Sequence, residues 1–139
     1  MKLQLSAILT CILLLSGCAT TNQHVLEAGD ESQLQKRSYQ SRIFETADKE
    51  KALRAVISTL QDLGFVIDRS DLVLGSISAT RQNRHQIRIT VSVREKGSDR
   101  MLVRANAQFN IKPIENPKDY QDFFSSLEKS LFLTAHAGE

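Results

Sequence analysis

The chain is poor in several residue types, and each shortage narrows what it can be. It has no tryptophan, two prolines, two cysteines, and an aromatic content of 6%. Both cysteines, Cys11 and Cys18, lie near the start, so everything after position 18 is free of thiols. A cysteine nucleophile, a disulfide and a thiolate metal site are thereby excluded from the rest of the chain. Charge of neither sign dominates: 18 Lys and Arg face 16 Asp and Glu, a net of +2, so the chain is no bulk polycation or polyanion. Histidine is sparse too, with His24, His85 and His136 far apart.

What is present begins with Met1-Lys2 and a mostly apolar run from Leu3 to Leu15. Its length is that of a signal h-region and too short for a membrane span. The run ends in Leu15-Ser16-Gly17-Cys18, which resembles the lipobox of bacterial lipoprotein precursors. The resemblance implies cleavage before Cys18, a diacylglycerol on its sulfur and acylation of the new amine, and so a palmitate-type anchor. One acyl chain holds a protein only marginally, whereas two or three make attachment lasting. Ala19 stands where an Asp would argue for retention at the inner membrane, so the expected location is the periplasmic side of the outer membrane.

Loss of residues 1–17 removes Lys2 alone and leaves 17 basic against 16 acidic side chains, a net of +1. Residues 18–38 then read as the lipidated cysteine and a tether, polar and without a sustained period. Twenty such residues span about 25 Å as a coil and roughly 65–70 Å when pulled straight. Residues 39–139 remain for one globular domain.

Within that domain Tyr39 to Glu45 reads as a first strand. Thr46 is the expected N-cap of a helix with Asp48 and Glu50 in its first turn. Leu53, Val56, Ile57, Leu60 and Leu63 share one face of that helix, and Gly64 ends it. Phe65 to Asp68 and Ser76 to Arg81 read as strands joined by a turn that contains Leu72-Val73-Leu74. From Gln86 to Arg94, Ile87, Ile89, Val91 and Val93 alternate with Arg88, Thr90, Ser92 and Arg94, which only a half-buried strand explains. After a loop around Gly97, the alternation resumes at Met101 and runs through Val103, Ala105, Ala107 and Phe109 to Ile111.

Lys112 to Asn116 is expected to leave the sheet. Asn116-Pro117-Lys118-Asp119 opens a second helix with a cap, a proline at its first position and an acid at its third. The buried stripe of that helix is Tyr120, Phe123, Phe124, Leu127 and Leu131, with Gly138 beyond its end. The order β-α-β-β-β-β-α predicts a two-layer α+β fold, an antiparallel sheet of four to five strands with both amphipathic helices on one face.

The outward face of the central hairpin collects Arg88, Arg94, Arg104, Asn106 and Gln108, the candidate binding residues. From Arg81 to Lys112 eight basic residues (Arg81, Arg84, Arg88, Arg94, Lys96, Arg100, Arg104, Lys112) face two acidic ones, Glu95 and Asp99. Such a face suits an acidic protein surface, lipid phosphates or the carboxylates of peptidoglycan stems. The plainer alternative is a solvated face kept soluble by arginines. Nucleic acid fits poorly, since no aromatic residues interleave with the basic ones. No serine elbow, spaced carboxylate or second histidine accompanies His85 or His136, and Ser125-Ser126 and Ser76-Ile77-Ser78 look like surface positions. No enzyme, cofactor or metal is expected.

Arg42-Ile43-Phe44-Glu45-Thr46, Leu60-Gln61-Asp62-Leu63-Gly64-Phe65-Val66-Ile67, Leu74-Gly75-Ser76-Ile77-Ser78-Ala79-Thr80 and Tyr120-Gln121-Asp122-Phe123-Phe124 together resemble a family of small uncharacterised proteobacterial lipoproteins. The element order is also similar, by architecture alone, to the helix-grip domains of the BamC lipoprotein of the outer-membrane barrel assembly machinery. A tethered compact domain with a clustered polar, basic face and no catalytic set points to a non-enzymatic binding or scaffold module, lipid-anchored in the envelope and engaging a protein partner, and the architectural likeness adds only slightly to an assembly or scaffold role. The alternatives are direct binding of peptidoglycan or lipid headgroups, and an envelope hydrolase with an unfamiliar site.

Overall fold

The computed structural model describes residues 33–83 and 85–136, with side chains up to position 132. The second of the chain's two units, Gln35–Glu139, holds the sheet and both long helices. Residues 33–40 are helical, including the stretch 33–38 that composition assigns to the tether. The expected first strand therefore starts later, as β1 (Ser41–Phe44). Then follow α1 (Lys49–Asp62), β2 (Val66–Asp71), β3 (Ser76–Gln82), β4 (Gln86–Glu95), β5 (Met101–Phe109), β6 (Lys112–Pro113) and α2 (Pro117–His136).

The α+β, two-layer fold is the one the periodicities predict. The sheet is antiparallel throughout, in the order β1-β5-β4-β3-β2, with β6 a sixth, two-residue strand on β5. One face is dry: Ile77, Ala79, Ile89, Val91, Val93, Met101, Val103 and Ala105 are all 5% exposed or less. They meet Leu53, Val56 and Leu60 of α1 and Tyr120, Phe123, Phe124 and Leu127 of α2 in a single core. Each fully buried valine or leucine there contributes about 1.5–3 kcal/mol relative to exposure.

Local chemistry sets the element ends. The cap of α1 is Asp48 and not Thr46: Asp48 Oδ1 accepts from the Lys51 N–H at 2.9 Å, while Thr46 Oγ1 accepts from the Asp48 N–H at 3.3 Å. Both residue types satisfy free amides at a helix start, and Thr46 spends its oxygen on holding the true cap. Gly64 ends the helix as expected, at φ 80°. Asn116 caps α2, its Oδ1 accepting from the Lys118 N–H at 3.1 Å.

Two expectations fail at the far end of β5. The alternation does not continue to Ile111, which is 88% exposed. Asn110 adopts φ 53°, a left-handed conformation asparagine tolerates, and reverses the chain. Lys112 and Pro113 then pair back with Phe109 and Gln108 instead of leaving the sheet. Pro113 is accommodated because β6 is an outer strand.

Between β1 and β6 one side of β5 has no strand partner among the described residues, and Tyr120 fills the gap. Its hydroxyl accepts from the Ala107 N–H at 3.2 Å and from Gln40 Nε2 at 3.3 Å, and donates to the Ile114 carbonyl at 2.8 Å. The small side chains of Ala105 and Ala107 suit the close approach of this ring.

Candidate binding face

Both α1 and α2 pack on the dry face, and neither covers the other face of the sheet. Because side chains alternate along each strand, burying Ile89, Val91, Val103 and Ala105 forces Arg88, Thr90, Arg104 and Asn106 outward. Register then brings the candidates together: Arg88 lies opposite Gln108, Thr90 opposite Asn106, and Ser92 opposite Arg104. These six residues and Pro113 line one shallow hollow of about 510 Å³. A second hollow, about 810 Å³, adjoins it over β2 and β3 and is lined by Asp68, Ser78, Thr80 and Gln86 among others. Arg88 and Thr90 line both, so Arg88 stands at the centre of the face.

Arg94 is the one candidate outside the hollow. It sits one step further along, opposite Leu102, which is itself half-buried and paired with Ile43 of β1. Arg104 Nε donates to Ser41 Oγ at 3.3 Å, and Asn106 Oδ1 accepts from Gln40 Nε2 at 3.4 Å, so the chain entering β1 braces this edge of the face. The ion pairs among the described residues join Lys36 to Glu115, Arg54 to Glu50 and Arg100 to Asp99. Arg88, Arg94 and Arg104 thus have no carboxylate partner among the described residues. Asp68, the acid nearest the hollows, has Oδ2 engaged by the Thr80 hydroxyl at 2.6 Å.

The basic run is less concentrated on this face than its sequence suggests. Arg81 turns to the helix side, its guanidinium 4.8 Å from the Phe65 ring centre and donating to the Leu63 carbonyl at 3.0 Å. His85, which the sequence places in a turn, lies between β3 and β4 with its ring 4.8 Å from that of Phe109. The hollow beside it is lined by Arg81, Asn83, Ile87 and Phe109, with no carboxylate. Ser126 donates to the Asp122 carbonyl within its own helix. Cys18, His24, Arg84, Gly138 and the side chain of His136 lie outside the described residues. No metal-binding group of three or more His, Cys, Asp or Glu occurs among the described residues, and none of the described helices is long and apolar enough to cross a membrane.

Two features were not read from the sequence. Where the C-terminus of α1 faces the N-terminus of α2, an apolar cleft of about 470 Å³ opens between Phe65, Ile87, Phe109, Ile114 and Phe123, with Asp119 and Asp122 in its lining. The apolar run Leu72-Val73-Leu74 is plain in the sequence, but its exposure is not, because nothing in a turn's sequence says whether another element covers it. No family model matches the chain, and no curated protein matches it significantly.

Proposed function

We propose that this protein is a lipid-anchored, periplasm-facing lipoprotein of the outer membrane that works as a non-enzymatic binding or scaffold module, docking an acidic protein surface of an envelope complex on its open sheet face. The observation that carries the reading is the hollow centred on Arg88, where guanidinium groups stand free of carboxylates among the described residues. A guanidinium in that state offers paired donors to an incoming carboxylate. The anchor itself is read from Leu15-Ser16-Gly17-Cys18.

The test is a photocrosslinking residue at Thr90 in the intact envelope. The expected product is a discrete adduct that Arg88→Glu with Arg104→Glu abolishes while the unfolding midpoint stays unchanged. Adduct yield indifferent to that double reversal refutes the face. The same free guanidiniums suit peptidoglycan stem carboxylates, and salt-sensitive sedimentation with purified sacculi would favour that target. Palmitate labelling that persists in Cys18→Ser refutes the anchor.

A further inference from the structure

The turn joining β2 to β3 departs from the rest of the surface. Leu72, Val73 and Leu74 follow one another there and are 50%, 86% and 71% exposed. Single exposed apolar residues are ordinary, but three in a row at a projecting turn mark a contact surface.

The turn is held in shape without help from outside. Asp71 Oδ1 accepts from the Leu74 N–H at 2.8 Å, Lys49 Nζ donates to the Val73 carbonyl at 2.9 Å, and the Gly75 carbonyl accepts from the Val93 N–H at 2.8 Å. Gly75 stands at φ 68°, so close to β4 that an added Cβ would lie 2.4 Å from the Val93 carbonyl oxygen. These backbone groups therefore have partners already. Hydrocarbon offers neither donors nor acceptors, and groups already paired within the protein enter it at lower cost than unpaired ones.

Reach is also sufficient. Ser41, Arg104, Ser92, Ser76 and Asp71 pair in succession across the sheet. The chain thus joins the sheet at the level of the apolar turn, four strand spacings or about 19 Å away. The helix 33–40 before β1 displaces the chain by at most about 12 Å, and residues 19–32 allow a span of up to roughly 45–50 Å, so an anchor at Cys18 leaves the turn free to touch the same bilayer.

We propose that Leu72, Val73 and Leu74 insert into the acyl region of the membrane that holds Cys18, giving the domain a second point of attachment that fixes its orientation. This rests on the lipid anchor of the proposed function. Insertion is driven by apolar burial, with Lys49 and Asp71 balancing each other beside the turn, so it does not depend on anionic lipid. That sets it apart from any headgroup binding by the arginine face, which salt would screen.

The experiment uses the lipidated full chain in vesicles of zwitterionic lipid, with an environment-sensitive fluorophore on Val73→Cys. The control carries the probe on Ile111→Cys, equally exposed but at the opposite end of the sheet, beyond the Asn110 N–H that donates to the Gln86 carbonyl. The expected result is a blue-shifted emission at position 73, quenched by acyl-chain quenchers and unchanged at high salt, while position 111 stays in water. Leu72→Asp with Leu74→Asp should bring position 73 to the level of position 111. A water-exposed probe at 73, a shift that needs anionic lipid, or shielding that arises only in native envelopes and not in pure lipid each overturns the proposal. The mass of the Cys18 peptide from the same sample reads the anchor separately, so the two failures are told apart.

Discussion

Replacing Tyr120 by Phe removes one oxygen atom and should cost the fold much of its margin. The ring, 2% exposed, keeps its packing, so the loss is confined to hydrogen bonds. The Ala107 N–H is buried and faces the strandless gap of β5, and without the hydroxyl it has no acceptor. A buried donor left in that state costs about 1–3 kcal/mol, and the Ile114 carbonyl loses a further bond worth about 0.5–1.5 kcal/mol. Gln40 can turn its amide to Asn106 or to water, so its share is small. The sum is about 1.5–4.5 kcal/mol, against a total stability of about 5–15 kcal/mol for an ordinary domain. For a domain near 100 residues this lowers the melting temperature by about 7–21 °C. Urea unfolding followed by circular dichroism measures it, with an unchanged slope showing that the midpoint alone has moved. Tyr39→Phe is the control, since the Tyr39 ring packs 5.3 Å from that of Tyr120. A Tyr120→Phe effect below about 0.5 kcal/mol would show that water replaces the hydroxyl and that the gap is not sealed.

Thr59 is 1% exposed and its hydroxyl has no partner among the described residues, so Thr59→Val, equal in shape, should stabilise the protein by about 1 kcal/mol in the same unfolding assay. Gly75→Ala should destabilise by about 2 kcal/mol or more, because it adds a clash with the Val93 carbonyl to the cost of a left-handed backbone. Gly97→Ala should cost only about 1–2 kcal/mol, since the nearest atom to its added carbon is a side-chain oxygen 4.0 Å away. The Glu115 hydrogen bond, with its charge, raises Lys36 above the ordinary lysine value, and burial raises Tyr39 above the ordinary tyrosine value. Both groups hold protons more tightly when folded, so their contribution is full below the unfolded values near 10 and is lost as pH rises through the folded ones. Glu115→Gln should flatten that alkaline decline in a pH series of unfolding midpoints.

The parts of the fold readable in advance are those where one period runs without interruption. β4 and β5 alternate strictly because one face is buried from Ile89 to Val93 and from Met101 to Ala107, and the α1 and α2 stripes follow from the same requirement at helical spacing. The misreadings fall where a single residue changes the backbone. Alternation from Met101 onward gives no notice that Asn110 turns the chain, and a bulge between Ile67 and Arg69 shifts the register of β2, which runs on to Asp71. At the start of α1, Thr46 and Asp48 are both suitable caps, and only the realised hydrogen bonds decide between them. The arginine face was legible because outward positions on paired strands follow directly from inward ones. The cleft beside Phe109 was not, since it depends on where two helices stop, and helix ends are weakly encoded.

β2, β3, β4 and β5 form a meander in which each strand lies beside the next in sequence, whereas Ser41 of β1 meets Arg104 across 63 positions. Closing so long a loop is entropically slower than closing the hairpins. The meander can therefore assemble first, with β1 docking onto it late. In amide hydrogen exchange β1 should lose protection by local opening, while β4, flanked on both sides, exchanges only through global unfolding. The seam nearest the N-terminus is then the weakest in the domain, and a pull transmitted from that end would detach β1 before it disturbed the meander.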